Sequence, residues 1–153
     1  MSTMAGNPEL NQDFKEFIAL LNENEVRYLV VGGYAVALHG HPRYTKDLDI
    51  WLDISEENAE SVIKALDAFG FGSLDFQTAD FTTPDQVVQL GRPPRRIDLI
   101  TTIPGVNFDK CYKSKVAVDI DGVIVNFIDV ENLKKNKRVS ARPQDIADVD
   151  NLP

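Results

Sequence analysis

Two aspartates, Asp47 and Asp49, stand two residues apart in the segment Lys46-Asp47-Leu48-Asp49-Ile50-Trp51-Leu52. Residues i and i+2 of a strand point to the same side. The two carboxylates would then repel unless a cation lies between them. A third aspartate, Asp98, sits in Arg95-Arg96-Ile97-Asp98-Leu99-Ile100, with Ile97 and Leu99 on the opposite face. If these strands are neighbours, three hard oxygen donors converge on one spot. Such a set suits magnesium, with manganese as a substitute, because the ion takes few carboxylates and leaves sites for water and phosphate. Two such ions can clamp the attacking and leaving oxygens of a phosphoryl displacement. Taken singly, Asp-x-Asp equally fits an exposed strand face, and Asp98 fits a salt bridge to Arg95 or Arg96.

The second chemical feature is Gly32-Gly33, which follows Val26 to Val31, a segment rich in β-branched and aromatic residues. Glycines between a strand and a helix let the backbone approach a phosphate, and a helix start offers unpaired N–H groups. Most Gly-Gly pairs are tight turns and nothing more. Arg43 and Thr45, just before the acidic pair, could meet a triphosphate. Trp51 falls on the carboxylate face, where it could stack on a base or fill a gap beside the last helix. His39 and His41 flank Gly40, with no second pair to complete a metal site.

These residues need elements to hold them. Asn7, Pro8 and Glu9 read as the start of a first helix, with Leu10, Phe14, Phe17, Ile18 and Leu21 at helical spacing. Val26 to Val31 reads as a strand, Tyr34 to His39 as a short helix closed by Gly40, and Leu48 to Leu52 as a strand by strict alternation. Ser55 caps a helix bearing Ala59, Val62, Ile63 and Leu66 that ends near Gly70. Phe71 to Pro84 reads as irregular. Gln86 to Leu90 and Arg95 to Ile100 are expected to be strands joined by the Gly91 to Pro94 turn. Lys115 to Val118 and Val123 to Phe127 form a hairpin around Asp121-Gly122. Two helices close the chain, Val130 to Arg138 and Arg142 to Leu152, the last with Ile146 and Val149 as its apolar stripe. The order implies an α+β domain, one mixed β-sheet with helices packed on it. The whole chain, 1–153, is expected to be one domain, with a core over about 8–128 and C-terminal helices over about 130–152.

The combination is more specific than its parts. Val30-Val31-Gly32-Gly33, a short helix, then Asp47-Leu48-Asp49-Ile50 resembles the signature of the DNA polymerase β-like nucleotidyltransferase superfamily, whose third carboxylate lies on a later strand, here Asp98. Arg43-Tyr44-Thr45-Lys46-Asp47-Leu48-Asp49 looks like a prokaryotic subgroup related to abortive-infection and toxin–antitoxin nucleotidyltransferases. Near the C-terminus, Lys137, Arg142, Asp145 and Asp148 are similar to that subgroup's late helical motif. The resemblance implies the nucleotidyltransferase fold and transfer of an NMP from NTP, ATP included, to a hydroxyl acceptor. Asp47, Asp49 and Asp98 would hold magnesium, Asp98 would also aid deprotonation, and Gly32, Gly33, Arg43, Thr45 and Lys137 would bind the nucleotide. Arg142 and Asp145 would order the site. The acceptor implied is an RNA end such as that of tRNA, a protein or an antibiotic, and an antitoxin is a partner implied in the same way. One departure is Gly33, where related chains often carry a phosphate-touching serine.

A net charge of -8 argues against non-specific nucleic-acid binding by the whole surface. Two local basic clusters stand against this: Arg92, Arg95 and Arg96, and Lys134, Lys135, Lys137 and Arg138. The second leans toward RNA, although charge runs are usually solvated faces. Cys111 is the only cysteine, which excludes an intrachain disulfide and a cysteine zinc site. No apolar segment resembles a signal peptide or spans a bilayer, so the expected home is the cytoplasm. The sequence does not give the oligomeric state. Two other readings compete: a non-catalytic nucleotide- or partner-binding module of the same fold, and a metal-dependent phosphodiesterase or nuclease, which would need neither Gly-Gly nor NTP.

Overall fold

The computed structural model describes residues 10–40, 47–92 and 96–153. The expected cap at Asn7 and Pro8, the residues Arg43 and Thr45, and His41 and Arg95 lie outside these residues. Helix α1 (Gln12–Glu23) begins where the Asn11 side chain accepts a hydrogen bond from the Phe14 N–H, so Asn11 is its N-cap. Its apolar face, Phe14, Phe17, Ile18 and Leu21, is buried as the spacing implies.

Strand β1 (Tyr28–Val31) is buried along its whole length. It is followed by α2 (Gly32–Leu38), which starts at the glycines themselves rather than at Tyr34. Strand β2 (Leu48–Leu52) leads to α3 (Glu56–Leu66), capped by Ser55 as expected. The stretch expected to be irregular contains short helical pieces instead. A widened turn spans Asp67–Phe71, a tight one Gly72–Leu74, and α4 (Ala79–Thr82) buries Phe81. Strands β3 (Val87–Leu90) and β4 (Ile97–Ile100) follow. Then come α5 (Phe108–Lys113), for which the sequence reading gave no element, and β5 (Val116–Ile120) with β6 (Val123–Phe127). The β5–β6 hairpin turns at Asp121 and Gly122, both at positive φ, the geometry that Asp-Gly suits. Helices α6 (Val130–Ser140) and α7 (Pro143–Asn151) complete the order.

The six strands form one mixed sheet in the order β3-β4-β2-β1-β6-β5. Strand β1 runs antiparallel to β2 and parallel to β6, and β2 runs parallel to β4. Helix α1 packs on β6 and α3, and Phe17 meets Phe69 edge-on at 5.2 Å. This mixed sheet with its helices is the α+β arrangement that the sequence implies.

Register is what matters for the site, because a slip of one residue would turn every β2 side chain to the opposite face. Apolar burial fixes it along the strand. Asn58 pins the far end: its amide oxygen accepts from the Arg27 N–H at 2.8 Å, and its amide nitrogen donates to the Arg27 and Asp53 carbonyls at 3.1 and 2.8 Å. Trp51 is filled in at that end too, meeting Phe108 of α5 edge-on at 5.1 Å rather than the last helix.

Candidate active site

With that register, Val31 stands opposite Asp49 across β1 and β2, and Asp49 stands opposite Asp98 across β2 and β4. Gly32 therefore lies against the Asp49 side chain. A Cβ on Gly32 would sit 2.2 Å from Asp49 Oδ2, and Gly32 is also at φ +67. Both facts restrict the position to glycine. The carboxylate of Asp49 fills the space that any other residue there would occupy.

Burial pushes the Asp49 carboxyl up to about 7, and the charges of Asp98 and Asp47 push in the same direction against the opposing pull of Arg96. A hydrogen bond between the Asp49 and Asp98 side chains is one of the contacts that raise the Asp49 carboxyl. Arg96 is the counter-charge of the other two acids. Its Nε donates to Asp98 Oδ1 at 2.8 Å, and one Nη donates to Asp98 Oδ2 at 3.2 Å and to Asp47 Oδ2 at 3.0 Å. The sequence suggests Arg96 as a partner of Asp98 and as part of a basic cluster with Arg92 and Arg95, but not as a bridge to Asp47. Its place two residues before Asp98, on the same strand face, was the available signal.

The donors are all hard carboxylate oxygens, and Asp49 has a raised affinity for positive charge. That chemistry fits a divalent cation such as magnesium. Among the described residues no three acidic, histidine or cysteine side chains already stand as a metal cage. Arg96 holds Asp47 and Asp98 instead.

The Asp49 carboxylate opens onto a cleft of about 330 Å³ lined by Gly32 and Gly33 on one side and by Lys137, Arg142, Pro143, Gln144 and Asp145 on the other. The far wall is built by the start of α7. Pro143 takes the first helical position, and the Asp145 side chain accepts from the Arg142 backbone N–H at 3.2 Å. The same carboxylate accepts from Arg142 Nε at 2.7 Å and from Lys137 Nζ at 3.2 Å. Lys137 Nζ also lies 3.0 Å from Asp148 Oδ2. Burial alone would push the Asp145 carboxyl up, but hydrogen bonds from Arg142 and Lys137, with their charges, outweigh it and hold it at about 2.

This ion cluster corrects the reading of α7 as a helix with an apolar stripe. Its buried residues include Asp145 and Asp148, while Ile146 is 52% exposed. Lys137, packed in from α6, makes the acidic face the inner one. The same burial breaks the basic run at Lys134, Lys135, Lys137 and Arg138, because Lys137 is not at the surface.

The sequence-selected residues thus fall into three groups. Asp47, Asp49 and Asp98 come together around Arg96 beside Gly32 and Gly33. Lys137 reaches the cleft wall but commits its ammonium to two carboxylates. Arg43 and Thr45 belong to the residues not described. His39 Nε2 donates to the Ile128 carbonyl, 2.7 Å away. Gln144 is a wall residue that the sequence reading did not select, and no local pattern marks it.

The family model described as aminoglycoside-2''-adenylyltransferase matches residues 13–135, a span that includes the glycines and all three aspartates but stops short of Lys137 and α7. A nucleotidyltransferase-like antigenic protein of Paracoccidioides brasiliensis is similar in structure, with a TM-score of 0.52, 20% identity, and coverage of 94% of this chain and 77% of that one. A candidate nucleotidyltransferase of Thermotoga maritima superposes with a TM-score of 0.56 and 15% identity, over 90% of this chain and 86% of that one. At such identities these two likenesses speak for the fold alone. No curated protein matches the chain.

Proposed function

The chain belongs to the aminoglycoside-2''-adenylyltransferase family, and so to the nucleotidyltransferases, and from that premise we propose that it moves a nucleoside monophosphate from an NTP to a hydroxyl acceptor with the help of a divalent cation. The observation that carries this is Asp49: opposite Asp98, against a residue that can only be glycine, and open to the cleft.

In this proposal Gly32 and Gly33 leave room for the triphosphate beside Asp49. Asp47, Asp49 and Asp98 would hold magnesium, one ion or two. Bound there, magnesium supplies neutralisation of phosphate charge and a more acidic acceptor hydroxyl. Asp98 takes the hydroxyl proton at a carboxylate oxygen. The hydroxyl oxygen then bonds to the α-phosphorus, the bond from that phosphorus to the bridging oxygen breaks, and pyrophosphate leaves with the electron pair. Most of the rate enhancement comes from positioning and charge compensation.

For the acceptor, the family's name points to a hydroxyl of an aminoglycoside. The acidic balance of the chain suits such a polycation. The RNA reading leaned on the basic run of α6, which loses Lys137 to the interior. An RNA end such as that of tRNA, and a protein hydroxyl, remain arms of the test. Transfer to a tRNA end would make expression toxic unless a partner chain relieved it, which is the toxin–antitoxin arrangement.

One observation favours the non-catalytic reading. Arg96 already satisfies two of the three carboxylates. The deciding assay incubates labelled ATP, GTP, CTP and UTP with magnesium and with aminoglycosides, total RNA or protein, and follows pyrophosphate release. Transfer that disappears in Asp49→Asn is the expected result. Nucleotide binding without release of pyrophosphate on any acceptor would turn the assignment to a binding module, and undiminished turnover in Asp49→Asn would remove Asp49 from the chemistry. No described helix is long and apolar enough to cross a membrane.

A further inference from the structure

The two cations on the far wall of the cleft are in opposite situations. Lys137 is buried, its side chain 5% exposed, and its ammonium lies between Asp145 at 3.2 Å and Asp148 at 3.0 Å. Both of those carboxylates are themselves buried. An ammonium in that position can follow a phosphate only by giving up its ion pairs to both buried carboxylates. Arg142 is 75% exposed on its side chain, yet it is not a loose surface arginine. Asp145 grips one edge of its guanidinium, through Nε at 2.7 Å and Nη2 at 3.2 Å. A guanidinium has five N–H donors in a planar fork. Among the described residues, Nη1 and the outer edge that it forms carry no hydrogen bond.

Arg142 is also the charge that faces the acidic wall. It lines the cleft together with Gly32, Gly33 and Asp49, and the Asp49 carboxylate acts on it electrostatically across that space. Asp145 in turn cannot swing. It accepts the Arg142 backbone N–H, which fixes it to the start of α7, and the Lys137 ammonium fixes it to α6. The geometry has the form of a strut that ends in an aimed cation.

We propose that Arg142, and not Lys137, is the residue that this cleft presents to the β- and γ-phosphates of the bound nucleotide, and that the buried Lys137–Asp145–Asp148 cluster is what aims it. This rests on the nucleotidyltransferase reading above. It reassigns the role that the sequence gave to Lys137 and adds a nucleotide-binding residue beyond the span of the family match. Lys137 and Asp145 are positioning residues.

The test is calorimetric titration of the native chain, Arg142→Gln, Arg142→Lys and Asp145→Asn. The probes are the α,β-methylene analogues of the four NTPs and the matching nucleoside monophosphates, all with magnesium. The quantity read is the ratio of triphosphate to monophosphate affinity. In Arg142→Gln this ratio is expected to fall about tenfold to a hundredfold, the scale of charge-assisted hydrogen bonds, with monophosphate affinity unchanged. Arg142→Lys should recover part of the loss, and Asp145→Asn should show a smaller fall of the same kind. A merely structural role would lower both affinities together, and that outcome overturns the proposal. So does an unchanged ratio in Arg142→Gln while the native chain binds triphosphate, and this result leaves the function reading intact. If the native chain binds none of the four analogues, the function reading itself is wrong and the role of Arg142 goes with it.

Discussion

Replacing Asp49 by asparagine should make the metal-free protein more stable at alkaline pH, and the size of the effect follows from the site. The Asp49 carboxyl is pushed from its ordinary 3.8 up to about 7, with burial the largest cause and the charges of Asp98 and Asp47 next. Each tenfold change in ionisation is worth about 1.4 kcal/mol, so the ionised form carries a penalty of up to roughly 4 kcal/mol in the folded state. The cleft admits water, and local relaxation reduces this, so about 2 kcal/mol is the expected yield. Between pH 4 and 7 the folded carboxyl keeps a proton that the unfolded one has lost, so stability falls as pH rises through that window. Below it both states are protonated and there is no penalty; above it the penalty is complete. Urea unfolding of native chain and Asp49→Asn in chelator should therefore agree near pH 4 and diverge by about 2 kcal/mol at pH 8, or about 4–8 °C in Tm. Subtracting the variant's curve removes the titration of all other groups. Magnesium at pH 8 should stabilise the native chain and leave the variant unmoved. Equal stability of the two proteins at pH 8 in chelator would refute the reasoning, because it would mean that the Asp49 charge is not confined.

Gly32→Ala combines a left-handed backbone with a Cβ 2.2 Å from Asp49 Oδ2; a loss of roughly 3 kcal/mol in denaturant unfolding is expected, with nucleotidyl transfer abolished in the fraction that folds. Lys137→Met leaves Asp145 and Asp148 without their shared cation, and breaking such a buried cluster should cost about 3–5 kcal/mol in the same measurement; an unchanged unfolding midpoint would contradict the burial of the pair. Arg96→Gln removes the cation that now bridges Asp47 and Asp98, so manganese affinity read by spin resonance should rise roughly tenfold. A fall instead would show that Arg96 supports the metal site.

What could be read from the sequence was local. The Asp47-Asp49 alternation, the Ser55 cap and the Asp121-Gly122 hairpin each depend on residues a few positions apart, and each is found where expected. The convergence of Asp98 with the pair followed from the family resemblance plus strand pattern. Helix α5 escaped because it is only six residues long, so Phe108, Cys111 and Tyr112 at helical spacing span a single turn, too short a run to stand out; the cap at Asn107 was its other signal. The inner face of α7 escaped for a different reason. Apolar periodicity assumes that buried faces are greasy, whereas here Lys137 from another helix makes Asp145 and Asp148 the inner residues and leaves Ile146 outside. Only long-range packing carries that information. The same holds for Arg142 opposite Asp49, which lie far apart in the chain and meet only across the cleft.

The charges around the glycine turn constrain how many cations the site can take. Asp47, Asp49 and Asp98 face one guanidinium, that of Arg96, so the fully ionised cluster has an excess of two negative charges. One divalent cation cancels that excess. The Asp49 proton performs part of the same task in its absence, so cation entry near neutral pH should expel a proton. A second divalent cation would overcharge the pocket in a partly buried setting, where charge is expensive. The second ion becomes favourable only when a triphosphate brings its own negative charge, with Arg142 sharing the load from the opposite wall. Manganese titration should accordingly find one tight site in the free protein and two in the presence of a non-hydrolysable triphosphate, with proton release on the first step that fades above about pH 8. Two tight sites without nucleotide would mean that Arg96 leaves the cluster altogether, and the charge accounting that ties Asp49 to its neighbours would have to be rebuilt.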